Sequence, residues 1–169
     1  NKAQPSMQLD HLIEINEPLN PLLDWLSREQ LWRGLQLRAE DPMQFVLALD
    51  DCRILSRSAQ GVRREYRFGS LLIRDQVLYD SERSTVRYRT EFPPELAGSL
   101  LSMAIEEPEP GRLFVRFVYD DDDCAAQQEL LAANDPQTAA YQQMRRAAWE
   151  QADVDTIRNL RRLASQGDL

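Results

Sequence analysis

The chain has 169 residues, 43% hydrophobic and 28% charged, and carries 20 basic against 28 acidic groups for a net charge of −8. A length of this order supports one domain that buries about 70% of its unfolded surface, and no run approaches the ~20 apolar residues needed to span a bilayer. The acidic balance repels a phosphate backbone and argues against nucleic acid as a partner, while a single histidine, His11, excludes most histidine-built zinc sites.

Residues 1–8 read as a flexible polar lead-in, without the charged segment and apolar stretch of a secretory signal. Cys52 and Cys124 have no second thiol at a metal or redox spacing. They are expected to be plain thiols in a reducing compartment, and a cytoplasmic location is the default expectation. No metal site and no cofactor is expected.

"MQLDHLIEIN" at 7–16 alternates Leu9, His11, Ile13 and Ile15 against polar residues, the period of a strand with one buried face. Pro18 and Pro21 stop it, because proline cannot donate to a ladder. "SREQ" at 27–30 has the form of a capping box, so a helix is expected from there to about Glu40, closed by Pro42 and followed by one short helical turn.

From Cys52 to Tyr119 the alternation is almost unbroken, in six segments separated by turn residues, which predicts an antiparallel meander. One face collects apolar and aromatic side chains from Tyr66 to Tyr119, the other Arg63, Arg67, Arg74, Arg87, Arg89 and Arg116. After "DDDD" at 120–123, expected as a solvated, moving loop, Asp135 and Pro136 offer an N-cap and a first helical position. No glycine intervenes before Gly167, so a single long helix of about 29 residues, roughly 43 Å, is expected to lie across the bare face of the sheet. Its apolar stripe is expected to run through Tyr141, Met144, Ala147, Ala148, Val154, Ile157, Leu160 and Ala164. The class is therefore α+β.

One residue breaks the pattern. Along Leu71, Ile73, Asp75, Val77 and Tyr79 an acid falls where a core residue belongs. An unpaired buried carboxylate costs several kcal/mol, so Asp75 must be neutral, hydrogen-bonded or paired, and Arg64, on the same face two residues before Tyr66, is the obvious mate. A bulge turning Asp75 outward is the other structural solution. Asp75, Arg64 and His11 are alternatively the polar groups that orient a ligand, and His11 and Asp75 the candidate acid–base pair of an enzyme.

The order strand, helix, six antiparallel strands, long terminal helix resembles a START-like (SRPBCC) domain, the helix-grip fold shared with the birch-pollen-allergen superfamily. The phrases "HLIEINEPLNP", "REQLWRGLQLRAEDP", "REYRFG", "RDQV", "GSLLSMAIEEPEPG", "LFVRFVYD" and "QADVDTIR" are similar to its AtaL-like branch, named for the acetylaranotin cluster. The resemblance runs from about Leu9 to Ala164 and implies one START-like domain over 9–166: a curved antiparallel seven-stranded sheet wrapped around a long C-terminal helix, with short helices between strands 1 and 2. It implies a hydrophobic small-molecule pocket and transfers no catalytic residue.

Small residues on the terminal helix, Ala139, Ala140, Ala147, Ala148 and Ala152, leave room opposite a concave sheet or simply bring helix and sheet close together. With room left, the cavity is expected to be lined by His11, Ile13, Arg64, Tyr66, Asp75, Val77, Tyr88, Thr90, Met103, Phe117, Tyr141 and Met144, with Trp32 and Phe45 as walls or lids, or as ordinary core. Three functions follow. One is shelter of an apolar ligand (lipid, polyketide-like or aromatic). The second is an aromatase/cyclase- or dehydratase-like enzyme, with Tyr66 or Tyr88 polarising a carbonyl. The third is a protein-interaction module with a filled interior. The first is the expectation, and the sequence is compatible with a homodimer.

Overall fold

A computed structural model describes residues 8–46, 49–121 and 137–169. Strand β1 (Gln8–Glu14) leads to helix α1 (Arg28–Glu40) and a 3-10 turn at Pro42–Gln44. Six strands follow: β2 (Asp51–Ser58), β3 (Gly61–Phe68), β4 (Leu71–Asp80), β5 (Thr85–Phe92), β6 (Leu100–Glu109) and β7 (Arg112–Asp120). Helix α2 (Gln137–Ser165) completes the chain. Asp135, Pro136, Cys124 and Asp122–Asp123 lie outside the described residues.

The local signals act as their chemistry demands. Ser27 Oγ accepts from the Gln30 N–H at 3.0 Å while Gln30 Oε1 accepts from the Ser27 N–H at 2.9 Å, so two of the helix's free donors are satisfied by two side chains. The strands form one antiparallel seven-stranded sheet in the order β1-β7-β6-β5-β4-β3-β2, a meander closed at one edge by β1 lying against β7. Gly61, the first residue of β3, is required by space: a Cβ there would stand 1.9 Å from the Val77 carbonyl oxygen. On the convex face three of the arginines pair with acids, Arg63 with Glu91 at 3.4 Å, Arg74 with Glu65 at 2.8 Å and Arg116 with Asp10 at 2.7 Å. Pairs this exposed add little to stability.

Helix α2 docks on α1 and β1 at one end of the concave face. Gly34 permits the approach of the helices, since a Cβ there would meet Leu160 at 2.2 Å. The buried stripe of α2 is Asp153, Thr156, Ile157, Leu160 and Leu163. It differs from the apolar pattern: Val154 is exposed, and Asp153 and Thr156 are buried instead because each has a fixed hydrogen-bond partner. The acidic stretch also starts differently from a solvated loop, with Asp121 buried and accepting a hydrogen bond from Ser99 Oγ.

Candidate functional site

The concave surface is divided along the strands. At one end Val62, Val77, Val86, Met103, Ile105, Val115 and Phe117 pack against Leu31 and Leu35 of α1 and Ile157 and Leu160 of α2, forming the apolar core. At the other end the same strands continue as Arg64, Tyr66 and Phe68, then Asp75, then Tyr88 and Thr90, then Leu100 and Leu101, then Tyr119, and among the described residues no core fills the space above them. Pro42, Val46, Leu49, Trp149 and Ala152 close this end from the other side around a cavity of about 300 Å³, the lower limit of known ligand pockets.

Asp75 answers its own question here. The β3–β4 register sets it directly opposite Arg64, and the β4–β5 register opposite Thr90. Arg64 Nε donates to Asp75 Oδ1 at 2.9 Å and Nη2 to Oδ2 at 2.6 Å, while Nη1 donates to the Ala39 carbonyl at 3.0 Å. Both side chains are almost completely buried, the condition under which an ion pair needs this bidentate geometry to survive desolvation. Burial works against the Arg64 charge, but the Asp75 hydrogen bonds and charge outweigh it and hold the guanidinium protonated beyond its ordinary range.

The guanidinium lies between two rings, 5.0 Å from the Tyr66 centroid and 5.1 Å from that of Tyr88. Burial, reinforced by the Asp75 charge, pushes the Tyr66 hydroxyl above its usual pKa. Tyr88 lines the cavity, and its hydroxyl is buried without a hydrogen-bond partner among the described residues.

A second polar cluster stands behind the opposite wall. Tyr119 stacks on Trp149 with ring centroids 4.5 Å apart and 5° between planes, and its hydroxyl donates to Asp153 Oδ1. His11 Nδ1 lies 3.1 Å from Asp153 Oδ2. Burial pushes the Asp153 carboxyl up to about 6, with the Tyr119 and His11 hydrogen bonds opposing it. Arg38 of α1 completes the lining: its Nε donates to Thr156 Oγ1 at 3.0 Å, and its guanidinium lies 5.4 Å from the Tyr88 ring centroid.

Of the side chains expected to line a cavity, Arg64, Tyr66, Asp75, Tyr88 and Thr90 come together there. Val77, Met103, Phe117 and Phe45 are buried in the packed core, and Ile13 and Trp32 pack against it. His11 pairs with Asp153, with β7, β6 and β5 between its strand and that of Asp75. Met144 is 71% exposed, and the side chain of Tyr141 lies outside the described residues. Arg38, Tyr119, Trp149 and Asp153 complete the arrangement unforeseen. The signal for Asp153 was the one that singled out Asp75, an acid among apolar positions at the period of its element. Among the described residues no three His, Cys, Asp or Glu side chains gather as metal ligands would, and no helix is long and apolar enough to cross a membrane.

The family model for acetylaranotin biosynthesis cluster protein L, AtaL, matches residues 13–167. No curated protein matches the chain in sequence. In fold the chain is similar to the di-domain aromatase/cyclase StfQ from the steffimycin biosynthetic pathway, with a TM-score of 0.67 and 8% identity over 95% of this chain and 52% of that one. It thus spans about half of that structure. The Zhui aromatase/cyclase from Streptomyces sp. R1128 gives a TM-score of 0.59 at 15% identity over 96% and 95% of the two chains. Ginseng major latex-like protein 151 from Panax ginseng gives 0.52 at 10% identity over 92% and 95%. At such identities the likeness is one of fold, and the expected helix-grip architecture is the one observed. With its sheet, helices and family match in agreement, the chain belongs to the AtaL family.

Proposed function

We propose that this protein binds a hydrophobic small molecule, of lipid, polyketide-like or aromatic character, in the hollow half of its concave face. The observation that carries the reading is the cavity itself: an interior of about 300 Å³ left between sheet and helices while the other half of the same surface is packed solid. A filled interior, as a pure interaction module would have, does not fit it. The lining is mostly apolar and aromatic, with a few fixed polar groups, the composition that lets a site hold an apolar body in one orientation. Arg64 and Asp75 neutralise one another and act as rigid framework, and the unpartnered Tyr88 hydroxyl is the polar group assigned to a ligand carbonyl or hydroxyl once the pocket is filled.

The test pairs native mass spectrometry of freshly purified protein with titration of the neutral dye N-phenyl-1-naphthylamine. Ala152 lines the cavity but is itself exposed, so Ala152→Phe fills the space without touching the core. It should lower dye affinity by about tenfold or more, the loss of roughly one well-buried contact set, with an unchanged unfolding midpoint. Equal affinity for wild type and variant sinks the reading.

An aromatase/cyclase- or dehydratase-like activity on a polyketide-type substrate is the second reading, favoured by the unpartnered Tyr88 hydroxyl beside a cationic Arg64. His11 and Asp75 belong to different clusters, so a proton shuttle built on that pair is replaced by one in which Tyr119, Asp153 and His11 form a single chain. Turnover of a linear poly-β-ketone lost in Tyr88→Phe, with dye binding retained, separates catalysis from shelter.

A further inference from the structure

We infer that the ligand carries an acidic group and that Arg38 is its counter-charge at the cavity mouth. The inference rests on the cavity reading above and narrows it to anionic apolar molecules such as aryl carboxylates, acidic phenols or enolates.

Among the described residues the charges lining the cavity are Arg38, Arg64 and Asp75. Arg64 and Asp75 cancel, and every nitrogen of Arg64 already has an acceptor. Arg38 is different. Its Nε is held by the buried Thr156 hydroxyl, which fixes the plane of the guanidinium, while among the described residues no carboxylate stands within ion-pair distance of it. A half-buried cation that is oriented but unpaired has its two terminal nitrogens to offer, the fork geometry that takes a carboxylate or sulfonate through two parallel hydrogen bonds.

Among the described residues the two acids nearest this mouth on α2 are already engaged. Asp153 faces Arg38 from α2, but its oxygens are taken by Tyr119 and His11. Asp155 borders the groove outside the cavity, where Arg158 holds it at 3.3 Å and the Gln151 amide at 3.0 Å. That outer groove and the cavity share Arg38, Val46 and Ala152, so Arg38 stands where the interior meets the surface. A ligand can leave its charged end there, partly hydrated, while its apolar body enters past Ala152.

Two dyes of one skeleton test the assignment: 8-anilino-1-naphthalenesulfonate, which bears the anion, and neutral N-phenyl-1-naphthylamine, both titrated at physiological salt against folded protein verified by circular dichroism. Wild type should bind the sulfonate about tenfold more tightly than the amine, the scale of one charge-assisted contact. Arg38→Met should bring the ratio to about one while leaving amine affinity within about twofold, and Arg38→Lys should restore part of the preference. Equal affinities in wild type, or an Arg38→Met variant that loses both dyes alike, overturn the role of Arg38. If neither dye binds wild type, the cavity reading fails and this inference falls with it.

Discussion

Replacing Asp75 by leucine removes the partner of a guanidinium that has almost no access to water. The Arg64 side chain is 5% exposed and that of Asp75 3%, and two hydrogen bonds at 2.9 and 2.6 Å join them. Breaking such a pair from one side costs about 3–5 kcal/mol, because the remaining charge stays buried. The Ala39 carbonyl and the Tyr66 and Tyr88 rings stay in place and continue to stabilise the cation, which sets the expectation at the lower end, about 3 kcal/mol. For a chain of this size that corresponds to a fall of roughly 6–12 °C in the unfolding midpoint. The double variant Arg64→Met, Asp75→Leu replaces the pair with apolar groups and should return to within about 1 kcal/mol of wild type. Urea unfolding followed by far-ultraviolet circular dichroism measures wild type, both single variants and the double, with a constant m-value showing that the unfolded state is unchanged. A single variant that loses less than about 1 kcal/mol, or a double variant as unstable as the sum of its parts, refutes a buried, mutually dependent pair.

Asp153 gives a pH signature. Its carboxyl titrates at about 6 in the folded chain against 3.8 for the free group, so the folded state holds the proton more tightly. The stability this confers is complete below the unfolded value and is lost as pH rises through the folded one. Asp153→Asn should therefore gain up to about 3 kcal/mol relative to wild type between pH 4 and pH 7, and parallel stability profiles of the two proteins would contradict the assignment. At Gly61 the obstacle to a side chain is the Val77 carbonyl 1.9 Å from a Cβ, whereas Gly69, with φ of 55°, has open space around it. Gly61→Ala should cost about 2–4 kcal/mol and Gly69→Ala only about 1, from backbone conformation alone, by thermal unfolding.

What could be read from residues alone was what depends on neighbours in sequence. The Ser27–Gln30 box, the alternation of six strands and the length of α2 are local patterns, and each produced the element it implied. The Arg64–Asp75 pairing was accessible because two adjacent strands in a short hairpin have few registers open to them. The division of the concave face into packed and hollow halves was not. Val77, Met103 and Phe117 share the alternation of Asp75, Tyr88 and Tyr119, and only the position of α1 and of the Ile157–Leu163 end of α2 decides which of them is covered. Met144 and Val154 likewise satisfy an apolar stripe that the buried, hydrogen-bonded Asp153 and Thr156 displace.

The split concave face also separates two kinds of selection on one scaffold. Tyr88 and Tyr119 belong both to the buried core and to the lining of the hollow half, and Val46, Leu101 and Trp149 line the hollow while packing against that core. Phe68, Thr90 and Ala152 line the hollow without belonging to the core, so exchanges there change its shape while the residues that hold the fold together stay as they are. On such a scaffold the shape of the hollow and the stability of the fold are set by largely different side chains.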